Sequence, residues 1–310
     1  MIETQRAEKT LARAWDYVKA EIRATDPGEA QNKEDFLPRL YAAFESAFSR
    51  VMREIEAGNL DPFVDLVSTQ YGPELEQVRL HPVDRPIRAG FLALAGNPLW
   101  WGHLLVALIA QGQLGLDTVV FRVQGQIEYK DVAESNRVPV GQRHEMAKRV
   151  LRHFYPLLRY TDLGSEPGNQ REGADELYRY MELNQDRRLH MVYLLGAESR
   201  ERVERYFRQQ YEAAQENSLE HNQQHQLTIG WIQRGEYGAS LTEDELEKMS
   251  VRAQEAVGYS HFLPSALIQA PYIDLGVSST HYRNTHDSTI VPRAIDEFAQ
   301  DHGFYGYSTE

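Results

Sequence analysis

Two short segments of the sequence carry side chains that can bind phosphate groups. The first, residues 95–103 (AGNPLWWGH), ends a predicted strand and begins a predicted helix, and its His103 side chain can donate a hydrogen bond. The second, residues 277–283 (VSSTHYR), follows the last predicted strand and ends in Arg283, whose guanidinium can bind a phosphate through two N–H groups. Free N–H groups and the helix dipole attract anions at a helix N-terminus. The sequence therefore predicts a phosphate-binding site formed by both segments.

Each segment also has an interpretation without a ligand. The hydroxyls of Ser278, Ser279 and Thr280 can cap a helix as readily as they donate to phosphate. Trp100 and Trp101 can belong to the core or to an interface rather than to a stacking surface. The order of the segments favours the ligand site, because one follows the first strand of the predicted sheet and the other follows the last.

The elements that position these segments alternate between strand-like and helix-like patterns from residue 87 onward. Such alternation indicates an α/β fold, and we expect a Rossmann-like parallel sheet of about five to six strands with crossover helices. In such sheets ligands bind beyond the carboxyl ends of the strands. The predicted strands cover residues 87–95, 118–123, 157–160, 189–195, 226–233 and 265–273, and the predicted helices cover residues 102–113, 140–154, 174–183, 199–217, 243–257 and 291–302.

The part of the chain before this alternation is helical and charged. Between residues 35 and 56, apolar residues recur every three or four positions, which is typical of an amphipathic helix. We therefore divide the chain into an N-terminal helical extension at residues 1–85 and an α/β domain at residues 86–310, with an enlarged region at residues 200–260. The extension could pack on the α/β domain, mediate self-association or bind a partner, and the chain could form a homo-oligomer.

Composition argues against several classes of protein. The 310 residues hold 33 Lys plus Arg and 46 Asp plus Glu, a net charge of −13. This acidic balance argues against broad electrostatic binding to nucleic acid, which needs a basic face, and still allows a local basic pocket for a phosphorylated ligand. Without cysteine there is no disulfide, thiolate metal site or cysteine nucleophile. The absence of GxGxxG and of Gly-Lys argues against a standard dehydrogenase and a P-loop ATPase. We expect a cytoplasmic protein without a membrane partner, because the N-terminus lacks a secretory signal and the uncharged stretch at residues 91–110 is interrupted by Gly-Asn-Pro.

On these residues the sequence resembles the HxGH-type nucleotidylyltransferase superfamily, and it is most similar to nicotinamide or nicotinate mononucleotide adenylyltransferases. The family's GxFxPxHxGH-like stretch corresponds to residues 97–103, and its ISSTxxR stretch corresponds to residues 277–283. Three shorter matches follow the family's order: Arg-x-x-Met at residues 143–146, Gly-Ala-Asp at residues 196–198, and a Val-Pro start with a His-Gly-Leu-Tyr-like end at residues 291–305. The resemblance covers the α/β domain and not the N-terminal extension.

The resemblance implies transfer of the adenylyl group from ATP to a pyridine mononucleotide, giving a dinucleotide and pyrophosphate as in NAD biosynthesis. It implies catalytic roles for His103 and Arg283, both acting on the charge of the triphosphate. Mg²⁺ is expected to accompany ATP and to be held largely by phosphates and waters, so no protein metal ligand is predicted. The residues implied for nucleotide binding are Gly96, Asn97, Trp100, Gly102, Gly196, Glu198, Ser278, Ser279 and Thr280, and those implied for the phosphate of the second substrate or the pyrophosphate are Lys130 and Arg143.

Two departures from the family pattern bear on activity. Trp100 stands where the family has the first His of HxGH, and an indole has one N–H and no positive charge. Glu198 stands where the family has the Asp of Gly-Ala-Asp, which keeps the charge on a longer side chain. A working enzyme, a slow enzyme and a nucleotide-binding relative without catalysis are all compatible with these changes. Cytidylyl or other nucleotidyl transfer to a different phosphorylated acceptor is a further alternative.

Overall fold

The computed structural model of the chain describes both segments that the sequence predicts to bind phosphate, except Val277. Lys130, Glu198 and the predicted helix at residues 199–217 also lie outside the described residues. The described residues are 2–24, 36–67, 78–125, 136–166, 169, 171, 173–196, 225–233, 242, 244–248, 251, 265–270 and 278–308.

A six-stranded parallel sheet lies at the centre of the molecule and confirms the predicted Rossmann-like α/β fold. Its strands are β1 Ile87–Leu94, β2 Thr118–Val123, β3 Leu158–Thr161, β4 Leu189–Gly196, β5 Gln226–Gln233 and β6 Ala266–Gln269. They lie in the order β3-β2-β1-β4-β5-β6, and Ala89 of β1 pairs with Thr118 on one side and Met191 on the other. The order reverses between β1 and β4, which is the switch point where doubly wound sheets bind ligands.

Helices cover both faces of the sheet. They are α1 Ile2–Ala24, α2 Phe36–Glu56, α3 Trp101–Leu114, α4 Val140–Leu151, α5 Gly173–Leu183, α6 Ser279–Thr285 and α7 Arg293–Asp301, with 3₁₀ turns at Ser288–Ile290 and Phe304–Gly306. On one face, Leu92 and Phe121 of the sheet pack in a core with α3, α4 and α7. On the other face, Phe91 and Val120 pack against α5. The sheet is therefore buried on both sides, which explains why its strands are almost continuously apolar.

The N-terminal helices belong to the same core as the sheet domain. The apolar side of α2 lies on α3, where the rings of Phe44 and Trp101 meet edge to face with centroids 5.6 Å apart. Glu21 near the end of α1 accepts a hydrogen bond of 2.6 Å from the backbone N–H of Arg293 at the start of α7. Of the roles that the sequence leaves open for this extension, packing within the chain is the one that these contacts show.

Several predicted elements differ in length from the observed ones. Helix α4 ends at Leu151 rather than at residue 154, because the chain turns at residues 152–157 into β3 and Pro156 cannot continue a helix. Helix α7 begins at Arg293 because Pro292 occupies its N-cap position. The uncharged stretch at residues 91–110 is divided between β1, a turn and α3, and within the described residues no helix is long and apolar enough to cross a membrane.

Candidate functional site

The turn after β1 carries the first predicted segment to the switch point of the sheet. Gly96 has a φ of +59°, the left-handed region that favours glycine, and a Cβ there would lie 3.0 Å from Cγ1 of Val123 in β2. The Asn97-Pro98 peptide that follows is cis. The chain then enters α3, with His103 in the first turn of that helix. The carboxyl edge of the sheet thus receives a backbone turn and the start of a helix, as the sequence predicts.

Asn97 is buried and is held from three sides. It is 2% exposed, and its Nδ2 donates to the carbonyl oxygen of Asn136 at 2.9 Å. The hydroxyl of Tyr305 donates to Asn97 Oδ1 at 3.0 Å, and Arg283 Nη1 donates to the Asn97 carbonyl oxygen at 2.5 Å. Burial raises the pKa of Tyr305 well above its usual value, so this phenol remains a donor at neutral pH. Asn97 therefore joins the turn after β1 to three distant parts of the chain.

The second predicted segment packs directly on this turn. Ser279 Oγ donates to the carbonyl oxygen of Pro98 at 2.9 Å, next to the contact between Arg283 and Asn97. Arg283 Nη2 donates to Thr280 Oγ1 at 2.9 Å, and Ser278 Oγ caps α6 by accepting from the N–H of His281 at 3.2 Å. The two segments are thus brought together. Each of the three hydroxyls already has a protein partner, and Ser278 has the capping role that the sequence offers as its alternative.

Arg283 is half-buried, and burial lowers the pKa of its guanidinium, although an arginine stays charged at neutral pH. Within the described part of the chain, Asn97 and Thr280 take two of its five N–H groups. The remaining N–H groups can serve an anion at the carboxyl edge of the sheet. This geometry agrees with the predicted role of Arg283 as a phosphate ligand, which stays a prediction.

Trp100 and Gly102, both predicted to bind nucleotide, contact each other and His103. Trp100 is 3% exposed, and its indole ring lies over Gly102. Its backbone nitrogen is 3.3 Å from His103 Nδ1, and its indole Nε1 is 3.2 Å from His103 Nε2. The indole is therefore engaged in protein contacts at the start of α3.

Arg143 is buried among backbone carbonyl groups. It is 2% exposed, and four of its five N–H groups donate to backbone carbonyl oxygens. Those carbonyls belong to Ala95, Gln124, Gly125 and Val138. These donors are engaged at the ends of β1 and β2 and before α4, and the assignment of Arg143 to the phosphate of the second substrate or to the pyrophosphate stays a prediction. Arg143 holds the backbone under the site together and places a positive charge there.

The residues that fix α6 against the rest of the site are not indicated by the sequence. The hydroxyls of Tyr282 and Tyr307 donate to Oδ1 of Asp296 in α7 at 2.7 and 2.9 Å. Burial, with the carboxylate of Asp296, raises the pKa of Tyr307 to about 12. The family-like pattern at residues 302–305 includes Tyr305 but does not indicate its bond to Asn97, and Asn136 contributes only a backbone carbonyl, which no side-chain pattern marks.

Two further predictions concern the edge of the sheet and metal binding. Gly196 is the last residue of β4 and pairs with Ile232 of β5, so it reaches the carboxyl edge of the sheet. Lys130 and Glu198 lie outside the described residues, and their roles stay predictions. Within the described ranges, no group of three or more histidine, aspartate or glutamate side chains is placed to hold a metal ion.

Comparison with known proteins identifies the fold. No protein-family model matches the chain, and no curated protein matches its sequence. Among solved structures, Plasmodium falciparum nicotinic acid mononucleotide adenylyltransferase complexed with NaAD is similar, with a TM-score of 0.50 and 13% sequence identity over 72% of this chain and 99% of that chain. The same enzyme complexed with APC gives a TM-score of 0.47 with the same identity and coverage. At this identity the likeness shows the fold alone, a doubly wound parallel sheet with crossover helices.

Proposed function

We propose that this protein is a nucleotidylyltransferase that transfers the adenylyl group of ATP to a pyridine mononucleotide, giving a dinucleotide and pyrophosphate. The observation that carries the proposal is the packing of the Ser-Ser-Thr-His-Tyr-Arg segment on the Asn97-Pro98 turn, through Arg283 and Ser279. This packing joins the two family-like segments at the switch point of the sheet. The fold shared with a nicotinic acid mononucleotide adenylyltransferase supports the choice of reaction.

The reaction needs positioning and charge neutralisation more than proton transfer. A phosphate oxygen of the mononucleotide attacks the α-phosphorus of ATP, and the bond from that phosphorus to the bridging oxygen of the leaving pyrophosphate breaks. The attacking phosphate is already an anion, so no general base is required. Catalysis of this kind depends on holding the reactants in line and on donors aimed at the developing charge.

The proposed roles of the described residues centre on the turn after β1 and on the starts of α3 and α6. Arg283 binds the β- and γ-phosphates through the N–H groups that Asn97 and Thr280 leave over. His103, in the first turn of α3, stabilises charge on the triphosphate during transfer. The backbone of Gly96 lines the nucleotide pocket together with Asn97. The buried guanidinium of Arg143 adds a positive charge just after the ends of β1 and β2. Glu198 accepts from a ribose hydroxyl, and Lys130 contacts the phosphate of the second substrate or the pyrophosphate.

Mg²⁺ enters the proposal as part of the substrate, MgATP. The described residues offer no set of carboxylates and histidines that would hold a resident metal. Mg²⁺ commonly keeps several waters and is bound through substrate phosphates, so a site built from one arginine and one histidine is compatible with it. The ion would neutralise phosphate charge that the protein's own donors leave uncovered.

The test is an assay of the purified chain with MgATP and, in separate reactions, nicotinate mononucleotide and nicotinamide mononucleotide. Mass spectrometry would identify the dinucleotide, and a coupled assay would measure pyrophosphate. We expect one pyrophosphate for each dinucleotide with at least one of the two acceptors. No dinucleotide with either acceptor at high enzyme concentration would overturn the proposal. Product formed only from CTP, or only with another phosphorylated alcohol, would replace it by transfer to a different acceptor.

A second candidate function is nucleotide binding without catalysis. It is favoured by the contact between Trp100 and His103, because a histidine paired with an indole N–H is not presenting that nitrogen to phosphate. This candidate predicts that MgATP binds in a calorimeter and that neither the natural protein nor the Trp100→His variant turns over. Turnover that rises in Trp100→His would instead indicate an impaired enzyme.

A further inference from the structure

The indole of Trp100 fills the space beside the backbone of Gly102. A Cβ on Gly102 would lie 2.2 Å from Cη2, 2.4 Å from Cζ2 and 2.6 Å from Cζ3 of the indole, far inside van der Waals contact. No side chain larger than hydrogen fits there while the ring keeps its place. Gly102 therefore accommodates a tryptophan of the same chain in this structure, and the first turn of α3 is covered on that side.

The same residue contacts both nitrogens of the imidazole of His103. The backbone N–H of Trp100 lies 3.3 Å from Nδ1, and its indole N–H lies 3.2 Å from Nε2. The two rings meet edge to face with their centroids 5.6 Å apart. Both groups of Trp100 are donors and can never accept. They meet the imidazole as an acceptor, whereas a phosphate oxygen needs it as a donor.

A neutral imidazole has one accepting nitrogen, so it satisfies one of these two donors at a time. An imidazolium has none and would meet two donors with two N–H groups of its own. The contact with Trp100 therefore favours the neutral form of His103, which has no positive charge to stabilise a triphosphate. A histidine that stabilises phosphate charge must turn its N–H toward the phosphate, and this requires the contact with Trp100 to open.

We propose that Trp100 is a positioning residue that holds His103 in the resting protein and releases it when a triphosphate binds. The proposal rests on the proposed function, because that function gives His103 its role at phosphate. It explains the buried indole, the close approach to Gly102 and the pairing with His103 by one arrangement. Trp100 then sets how much of the protein is ready to bind ATP, since affinity falls in proportion to the fraction in the competent state.

The first test compares Trp100→Phe with Trp101→Phe. Phenylalanine keeps an aromatic ring at position 100 but lacks the indole N–H and the outer edge of the indole that lies against Gly102. Trp101 is a matched control, because it is equally buried and packs on Phe44 of α2. A hydrogen bond of this kind changes an equilibrium by about 2- to 10-fold, so we expect the dissociation constant of MgATP to fall by about that factor in Trp100→Phe. Trp101→Phe should bind MgATP as the natural protein does, and thermal unfolding would check that both variants fold.

The second test follows the indole N–H of Trp100 by proton–nitrogen NMR. The chain has four tryptophans, and loss of a signal in Trp100→Phe assigns the one of interest. Saturating MgATP should shift that signal and speed its exchange with solvent. His103→Ala should do the same without ligand. A structural tryptophan that merely packs on Gly102 would show neither change.

The outcomes separate this inference from the proposed function. MgATP binding that leaves the Trp100 signal unchanged, or Trp100→Phe binding no tighter than Trp101→Phe, overturns the inference and leaves the proposed function standing. If calorimetry detects no binding of MgATP to the natural protein, the proposed function fails. The His103→Ala variant then tests whether Trp100 contacts His103 in the protein without ligand. A Trp100 signal that this substitution leaves unchanged overturns the inference as well.

Discussion

Arg283 is the residue of the candidate site whose side-chain type and observed position are both suited to binding a phosphate. Its type and its place in the second segment were readable from the sequence, because a guanidinium after Ser-Ser-Thr is suited to phosphate. The sequence did not indicate that one of its N–H groups would bind the carbonyl oxygen of Asn97. A contact to a backbone oxygen leaves no trace in residue types, and the same holds for the four carbonyls around Arg143. That is why the sequence did not indicate the backbone contacts of Arg143.

Two substitutions of Arg283 should distinguish the contribution of its positive charge from that of its paired N–H donors. We expect kcat/KM for adenylyl transfer to fall about 10²- to 10³-fold in Arg283→Ala, the usual cost of losing one preorganised donor group. Arg283→Lys should recover part of that loss, since lysine keeps the charge but not the bidentate geometry. The measurement is steady-state kinetics with MgATP varied.

The control for these variants is Arg293→Ala, at the start of α7. Its side chain is 58% exposed and pairs with Glu297 on the surface, so its loss should leave kcat/KM unchanged. Equal losses in Arg283→Ala and Arg293→Ala would show that Arg283 has no specific role at the triphosphate.

The starts of α3 and α7 show which features of a helix end can be predicted from the local sequence and which cannot. The start of α3 was predicted within one residue, because a glycine and a proline precede an apolar run. The tryptophan at its N-cap was not predicted to fold back on Gly102 and His103, since hydrophobic pattern does not fix a rotamer. The start of α7 was predicted two residues early. Pro292 at its N-cap has no side-chain acceptor, and the first N–H of the helix is instead capped by Glu21, more than 200 residues away in sequence. Local rules cannot find so distant a cap.

Glu21 should stabilise the protein through the first turn of α7. Its carboxylate accepts a 2.6 Å hydrogen bond from the Arg293 N–H and lies at the positive end of that helix. We expect Glu21→Ala to lower the free energy of unfolding by about 1–2 kcal/mol, the range for losing a helix cap. Urea unfolding followed by circular dichroism would measure it.

Glu8→Ala provides the matched control for Glu21→Ala, because Glu8 is an exposed glutamate on the same helix. Both variants gain the same helix propensity, so their difference reports the contact with α7. If the two variants unfold at the same urea concentration, α1 does not cap α7 in solution.

At the scale of the whole molecule, the alternation of strand-like and helix-like patterns predicted a parallel sheet of about five to six strands with crossover helices, and the sheet has six. The order of those strands is set by long-range pairing, which the sequence does not display. Whether α1 and α2 would form a unit of their own was equally open, because an amphipathic face does not name its partner. In the structure that face belongs to the core around α3, so the candidate site rests on a scaffold that includes the N-terminal helices.

Buried histidines should make this scaffold sensitive to acid. Burial, with the nearby charges of Arg143 and Lys148, lowers the pKa of His144 to about 4. An unfolded histidine has a pKa near ~6.5, so between these values the unfolded chain binds a proton that the folded protein does not. The free energy of unfolding should therefore fall as the pH falls from about 6.5 toward 4, by up to ~1.4 kcal/mol per pH unit for such a histidine.

Urea unfolding at several pH values would measure this slope. His144→Gln should have a shallower slope than the natural protein, whatever its stability at neutral pH. His302→Gln is the control, since His302 is exposed at the end of α7, and it should keep the full slope. A slope that is the same in His144→Gln and in the natural protein would exclude His144 as the source of acid sensitivity.

The fate of the α-phosphorus of ATP is the measurement that decides the proposed reaction. The protein would be incubated with Mg²⁺, a pyridine mononucleotide and ATP labelled either at the α- or at the γ-phosphorus. Adenylyl transfer predicts that the α-label enters the dinucleotide and the γ-label leaves as pyrophosphate. An α-label that remains in ATP, or that appears only in free AMP, would contradict adenylyl transfer by this protein.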